Sequence, residues 1–448
     1  MNEGKLSAKE KYSYGIGAIG KDMCVCLIFY FCMLYYTDVL HISAGFVGTL
    51  FFLAKFWDAI NDLAMGMIVD NTRSKWGKFR PWLVIGTLVN SVVLIIMFSD
   101  WGLKGVNLYV FASVMYVLWG MTYTIMDIPY WSMIPNLTSD PKERDKVAVI
   151  PRIFASLGGL LVAGFGLQMV DYLGKGDQQI GFTRFAWVVA IIFIVTIGIT
   201  VKNVTSADKI KNEKSEKITF TQVLRVIRQN DQLLVAVATI LAFNFAMQCI
   251  GGVQTYYFIY VAGNKGLFSV FTIFAGLAEM FGLLIYPKIS EHISKKQVYL
   301  LASGVPVLGL ILLLIIGYVS PQNYVLTALA GILVKLGSGL QLGTVTVVLA
   351  DVVDYGEYKL GTRNESVVFS TQTLLVKFAS AIGALFTGFA LDLTGYVPNA
   401  VQSLATLSGI RLIMIGIPVI FVMISFFIFK KSYKLNSAKM QEVMAKIS

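Results

Sequence analysis

The stretch from Ala44 to Pro81, AGFVGTLFFLAKFWDAINDLAMGMIVDNTRSKWGKFRP, sets a long apolar run against a basic break. Residues 44–69 are long enough to cross a bilayer as a helix, which takes about 20 residues for ~30 Å of hydrocarbon. The break that follows holds Arg73, Lys75, Lys78 and Arg80. The same alternation fills the whole chain of 448 residues, of which 56% are hydrophobic and only 14% charged. An ordinary soluble domain carries about 25% charged residues. The pattern predicts helices over 14–38, 44–69, 82–99, 107–134, 149–172, 181–201, 232–262, 266–287, 298–318, 323–350, 367–392 and 409–430. The runs are too long for barrel strands and do not alternate. An all-α integral membrane protein is expected, and a soluble multidomain enzyme is ruled out.

Charge reports orientation. The breaks after even-numbered helices hold Arg73, Lys75, Lys78 and Arg80, then Lys142, Arg144 and Lys146, then Lys209, Lys211, Lys214 and Lys217. Further along come Lys288, Lys295 and Lys296, then Lys359 and Arg363. Breaks after odd-numbered helices hold little beyond Lys104, Lys175 and Lys265. Cytoplasmic loops retain cations during insertion, so the basic loops and both termini are expected on the cytoplasmic side of the cell's inner (plasma) membrane. The net charge of +11 is then a topology signal, and no soluble basic face is left for nucleic acid. The polar middle stretch mixes both charge signs, as a solvated linker does. It divides the chain into an N-terminal six-helix bundle (1–202), a cytoplasmic middle loop (203–231), a C-terminal six-helix bundle (232–430) and a cytoplasmic tail (431–448). Similarity between the halves is confined to DNTRSKWGKFRP and PKISEHISKKQV, the polar loop after the second helix of each.

Several chemistries lack material. Cys24, Cys26, Cys32 and Cys249 lie in apolar runs without the neighbouring ligands of a metal site, and read as packing residues. His41 and His292 are the two histidines, too few for a zinc enzyme or a histidine-based hydrolase. Neither an enzyme nor a resident cofactor is expected. Gly15, Gly17 and Gly20 match GxGxxG, but a dinucleotide fingerprint needs a strand before it, so close helix packing is the reading. Nothing demands an oligomer; a monomer in the lipid bilayer suffices.

Ionisable groups inside the spans are the informative ones, because each costs about 2.5–3.5 kcal/mol at mid-span. The first half holds Lys21, Asp22, Lys55, Asp58, Asp62, Asp127 and Arg152; the second contributes chiefly Glu279, Lys335 and Lys377. In KFWDAINDLAMG, Asp58, Asn61 and Asp62 share one helical face. That face is an oxygen-rich cage in which two carboxylates repel unless a cation or proton sits between them. A structural cluster neutralised by Lys55 is the alternative. In YTIMDIPYW, Tyr123, Asp127, Tyr130 and Trp131 stand on neighbouring turns, with Thr124 close by. A carboxylate that accepts from vicinal hydroxyls, beside a flat indole, suits a pyranose ring; an aromatic belt at the membrane interface is the alternative. Arg152, and Lys377 with Thr373 one turn away, could donate to hydroxyls or neutralise Asp22 and Asp127. Four acids, Asp22, Asp58, Asp62 and Asp127, meet four bases, Lys21, Lys55, Arg152 and Lys377. That balance suits a neutral substrate moving with one small cation. Glu279 and Lys335 are expected to form a buried salt bridge. The loop from Asp70 to Pro81, with Asp70, Arg73, Lys78 and Arg80, is expected to gate by latching the two bundles.

At GKDMCVCLIFYFCMLYYTDV (20–39), FWDAINDLAMG (56–66), RSKWGKFRPW (73–82), LWGMTYTIMDIPYWSMIP (118–135) and DVVDYGEYKLGTRNES (351–366), the chain resembles the glycoside-pentoside-hexuronide:cation symporters. The resemblance implies the major facilitator fold, with 12 transmembrane helices in two six-helix bundles around a cavity that opens alternately to each side. It also implies cation-coupled import of a galactoside. It places the coupling ion on Asp58, Asn61, Asp62 and Thr124. The sugar falls on Lys21, Asp22, Asp127, Trp131 and Arg152, with Tyr123, Thr373 and Lys377 nearby. Asp22 and Asp127 would grip sugar hydroxyls, Lys21 and Arg152 would support them, and Trp131 would stack on the ring. Asn61 favours Na+, since an amide oxygen helps coordinate Na+ and does nothing for a proton; Li+ and H+ are the alternatives. Phe29 and Leu342 stand where that pattern has a tyrosine and another aromatic, so the outer sugar subsite differs. The rival readings are a symporter of the same family for a glucuronide, a xyloside or a lysolipid, and a membrane sugar receptor that does not transport.

Overall fold

The computed structural model describes residues 6–138, 141–205, 228–361 and 365–447, and every regular element among them is a helix. The first six long helices are α1 (Ala8–Cys32), α2 (Ala44–Asn71), α3 (Arg80–Met97), α4 (Val106–Ser132), α5 (Pro141–Gly174) and α6 (Gln178–Asn203). The next six are α7 (Asp231–Val261), α8 (Lys265–Ser290), α9 (Lys295–Val319), α10 (Tyr324–Leu360), α11 (Glu365–Leu393) and α12 (Leu404–Ser432); a short α13 (Ser437–Ile447) follows. Among the described residues, 11 helices are long and apolar enough to cross a membrane. The sequence leads one to expect twelve. The difference is α2, whose 28 residues are of spanning length but whose apolar run is interrupted by Lys55, Asp58 and Asp62.

Two helices outrun their expected limits. α5 begins at Pro141 rather than near 149, and α10 continues to Leu360 rather than ending near 350. The added turns, PKERDK and DYGEYK, are polar. Hydropathy marks the stretch that suits hydrocarbon, whereas the hydrogen-bond ladder of a helix continues into water. In the tail, α13 packs on α10 and buries Val443. Residues 206–227 of the expected middle loop lie outside the described residues. So do the side chains of Lys142, Arg144, Lys146, Lys209, Lys211, Lys214, Lys217 and Arg363.

The chain divides into two units, Met1–Lys214 and Ser215–Ser448, and their internal plans correspond. In the first, α1 packs on α5 and α6, α4 packs on α2 and α3, and α3 packs on α6. In the second, α7 packs on α11 and α12, α10 packs on α8 and α9, and α9 packs on α12. The agreement reaches single bonds. After α1 and its π turn Tyr35–Val39, Leu40 N donates to Tyr35 O at 3.0 Å and Ile42 N to Tyr36 O at 2.9 Å. At the end of α7, Ala262 N donates to Tyr257 O at 2.9 Å and Asn264 N to Phe258 O at 2.9 Å. His41 (φ 56°) and Gly263 (φ 67°) hold the same left-handed position of this turn. Ser43 caps α2 just beyond this turn, whereas in the second unit Asn264, the counterpart of Ile42 in the turn, itself caps α8, so the connection there is one residue shorter. The first turns of α3 and α9 also match. Arg80 donates to the carbonyl of Val204 just after α6, and Lys296 to the carbonyl of Tyr433 just after α12. The repeat is thus written in backbone geometry, which residue identity in the two polar loops shows only faintly.

The GxGxxG glycines are packing glycines. A Cβ at Gly15 would lie 2.7 Å from Ile150 Cγ2 on α5, and one at Gly20 would lie 2.5 Å from Phe193 Cα on α6. A Cβ at Gly17 would collide with the Thr200 hydroxyl, also on α6. α1 therefore approaches two neighbours at backbone distance, and its polar residues are held rigidly.

Candidate functional site

Lys21 organises the site on the inner side of α1. Its buried ammonium lies 2.7 Å from Asp127 Oδ1 and 3.4 Å from Asp22 Oδ2. It donates to the Tyr123 hydroxyl at 3.0 Å and stands 4.9 Å from the centre of the Trp131 ring. Five of the expected sugar-site residues are thereby joined around one charge. Asp22 Oδ2 and Asp127 Oδ1 are buried, and neither accepts an aligned hydrogen bond among the described residues. The Lys21 ammonium engages these two buried oxygens, while the Asp22 and Asp127 side chains stay 27% and 26% exposed, so the rest of each carboxylate can meet donors from a ligand.

Two uncharged anchors, invisible in a search for charges, fix this arrangement. Tyr14 donates to the carbonyl of Tyr130 at 2.7 Å and Tyr130 donates to that of Tyr14 at 2.5 Å, with the rings stacked 4.6 Å apart. This reciprocal pair sets α1 against α4. Asn90 on α3 accepts from the Cys24 thiol at 3.3 Å and donates to Trp119 O at 2.9 Å and Thr122 Oγ1 at 2.8 Å. One amide therefore ties three helices together. An asparagine inside the run TLVNSVVL was the available signal.

A second cluster lies between α2 and α4. A Cβ at Gly120 would lie 2.8 Å from Asp58 Oδ1, Asn61 Nδ2 donates to Met121 O at 3.4 Å, and Thr124 Oγ1 donates to Asp62 Oδ1 at 3.1 Å. All four residues of the expected ion site thus lie along one helix contact. The Asn61 amide meets α4 through its nitrogen, which leaves its oxygen as the end not engaged by Met121. Lys55 Nζ lies 3.2 Å from Asp58 Oδ2, so the counter-charge weighed from the sequence is present. The cluster therefore sets two carboxylates, Asp58 and Asp62, on one face of α2, with the Lys55 ammonium beside the first. Among the described residues no three His, Cys, Asp or Glu side chains form a metal-binding group. The donors here are two carboxylates, an amide and a hydroxyl, a mixed oxygen set that fits a singly charged hard cation better than a transition metal.

Other expected residues are not gathered into these clusters. Arg152 is exposed on α5 and makes no ion pair with Asp22 or Asp127. Thr373 and Lys377 lie on α11 of the second unit, both exposed. In the loop after α2, Lys78 donates to Asp70 at 2.8 Å, Arg80 is engaged with Val204 O, and Arg73 is exposed. Glu279 and Lys335 do pair, at 3.2 Å to each carboxylate oxygen, but the side chains are 37% and 30% exposed, so the expected burial is corrected. α8 and α10 approach closely there, where a Cβ at Gly282 would lie 3.3 Å from Gly339 Cα, and two glycines offer no side chain to cover the pair.

A family model described as MFS/sugar transport protein matches residues 13–437. The chain belongs to this family. The inner membrane symporter YicJ of Escherichia coli (strain K12) is 28% identical over 451 residues, covering 100% of this chain and 96% of that protein. The isoprimeverose transporter of Lactiplantibacillus pentosus is 29% identical over 414 residues, covering 92% and 85%. The fold is similar to the crystal structure of a bacterial homolog to human lysosomal transporter Spinster in an inward-facing and unoccupied conformation. The TM-score is 0.70 over 97% of each chain at 12% identity. As an MFS/sugar transport protein with eleven apolar spanning helices, the chain is a multi-pass transporter of the plasma membrane and not an enzyme. In this transporter, α4 is the element the two clusters share: Gly120 and Thr124 face α2, while Tyr123 and Asp127 face Lys21 on α1.

Proposed function

We propose that the protein is a cation-coupled sugar symporter that imports a galactoside such as melibiose by alternating access. Its twelve spans include α2, both termini are cytoplasmic, and the coupling ion is Na+, with Li+ or H+ as alternatives. The observation that carries this reading is the doubly engaged α4. Thr124 is bonded to Asp62, and one residue before it Tyr123 is bonded to Lys21. A cation held by Asp58 and Asp62 removes the repulsion between the two carboxylates and draws α2 and α4 together. That movement sets Asp127 and Trp131 for the sugar. Each ligand then favours the other, as linkage requires. Asp22 and Asp127 supply acceptors for hydroxyls, and Trp131 supplies the apolar face. Arg152, Thr373 and Lys377 are assigned to the outer part of the sugar site. Asp70, Arg73, Lys78 and Arg80 are assigned to gating. The E. coli relative is named a symporter and the Lactiplantibacillus relative an isoprimeverose transporter, which supports a coupled carrier of sugar.

Uptake of labelled melibiose into vesicles, under an imposed Na+ or proton gradient, tests the reading. Accumulation driven by Na+ is expected. No response to either gradient, with melibiose and with other galactosides, contradicts it. Phe29 and Leu342, 44% and 48% exposed, favour a second reading in which the family chemistry is kept and the cargo is a glucuronide, a xyloside or a lysolipid. Failure of galactosides to inhibit uptake of such a cargo selects it. A receptor that binds sugar without moving it has no use for the α2 cluster, and shows no accumulation.

A further inference from the structure

Positions counted from the helix caps reveal a counterpart of the α2–α4 cluster in the second unit. Asp58 stands fifteen residues after Ser43, which caps α2, and Glu279 stands fifteen residues after Asn264, which caps α8. On the partner helices, Gly120 and Ser338 stand fifteen residues after the capping positions Gly105 and Asn323. The contacts agree. A Cβ at Gly120 would be 2.8 Å from Asp58 Oδ1, and Ser338 Oγ donates to Glu279 Oε1 at 2.6 Å. At the next position Asn61 meets Met121, and correspondingly Gly282 meets Gly339, with 3.3 Å from a Cβ at the first to Cα of the second. The places of Asp62 and Thr124 are taken by Leu283 and Leu342.

What differs is the charge balance. The α8–α10 cluster has one carboxylate, and Lys335 Nζ lies 3.2 Å from both of its oxygens. In α2–α4, Lys55 lies 3.2 Å from a single oxygen of Asp58, and a second carboxylate, Asp62, stands one turn on and accepts from Thr124. Glu279 and Lys335 lie well inside their helices and are partly exposed, the setting of an ion held in an open oxygen site.

We propose that Glu279 and Ser338 form a second monovalent-cation site, built on the plan of the first and permanently filled by the tethered ammonium of Lys335. This rests on the reading of the α2–α4 cluster as the coupling site. An ammonium on a side chain cannot dissociate, so the second site moves no ion, and the number of cations transported is set by α2–α4 alone. Removing the ammonium leaves a carboxylate inside the membrane region, which a free Na+ or Li+ then neutralises.

Isothermal titration of purified full-length protein with NaCl and LiCl tests this. The unaltered protein binds cation, and Asp58→Asn with Asp62→Asn abolishes binding. In that double-amide background Lys335→Met restores saturable binding of Na+ or Li+, and adding Glu279→Gln removes it again. A folded Lys335→Met variant that binds neither ion, or that takes up a proton alone, overturns the proposal and leaves a plain ion pair. Should that variant fail to fold, Leu283→Asp with Lys335 retained decides in the same way, because it gives the α8–α10 cluster a second carboxylate at the place that Asp62 holds in the first unit. Absence of binding in the unaltered protein contradicts the α2–α4 reading, and this proposal falls with it. Binding in the unaltered protein without any regained by Lys335→Met overturns the second site alone.

Discussion

Lys21 sets one ammonium between two carboxylates, and Asp127 is its closer partner at 2.7 Å. The Asp127 side chain is 26% exposed, and in the proposed sugar site it accepts from a hydroxyl; hydrogen bonds to charged groups are worth about 1.5–3 kcal/mol. Asp127→Asn keeps the shape and removes the charge. Galactoside affinity, read by calorimetry, should fall roughly 10- to 100-fold, with cation binding retained; unchanged sugar affinity removes Asp127 from the site. Much of this cluster was legible in the sequence, because Lys21, Asp22 and Asp127 are conspicuous inside apolar runs. Arg152 was conspicuous for the same reason, yet it stays exposed. Spacing assigns a residue to a helix face but does not say how far a long side chain reaches. Tyr14 and Asn90 went unnoticed, and Tyr130 was marked only for its place beside Asp127, because a neutral polar residue in an apolar run carries little signal until its partner on another helix is known.

The contact between α2 and α4 depends on the bare surface of Gly120. Gly120→Ala places a methyl 2.8 Å from Asp58 Oδ1, so the carboxylate must turn away. Cation affinity should drop while sugar binding measured without cation holds; equal loss of both contradicts separate clusters on one helix. On the other side of the unit, α1 meets α6 where a Cβ at Gly20 would lie 2.5 Å from Phe193 Cα. Gly20→Ala should destabilise the first unit by about 1–3 kcal/mol, as overpacking does, seen as a lowered unfolding temperature; an unchanged temperature contradicts the close approach. In the loop after α2, Asp70→Asn releases Lys78 from its 2.8 Å bond. Transport rate should change with ligand affinities intact, and unchanged transport removes the gating role. Helix order was readable from apolar runs, with eleven of the twelve expected spans found apolar enough to cross a membrane among the described residues, but helix ends were not, since the polar turns PKERDK and DYGEYK continue α5 and α10 beyond the hydrocarbon stretch. The π turns Tyr35–Val39 and Tyr257–Val261 leave no mark in composition.

Across the whole molecule, one pairing scheme occurs twice, and the copies have been put to different use. The first unit carries two carboxylates at α2–α4, one of them beside Lys55, whereas the second sets one carboxylate against one ammonium at α8–α10. The sequence hinted at duplication through two basic loops, but matched backbone bonds were needed to show the common turn, and the helix caps, one residue closer to that turn in the second unit, to set α2 and α8 in register. The central claim is that the acids of α2 persist in a membrane helix because a small cation neutralises them in step with sugar capture. Its most direct test is accumulation of labelled galactoside in vesicles by the Asp58→Asn, Asp62→Asn double variant under an imposed Na+ gradient. Loss of gradient-driven accumulation, with sugar still exchanging across the membrane at equal concentrations, is the predicted result. A double variant that still concentrates the sugar at the expense of the gradient contradicts it.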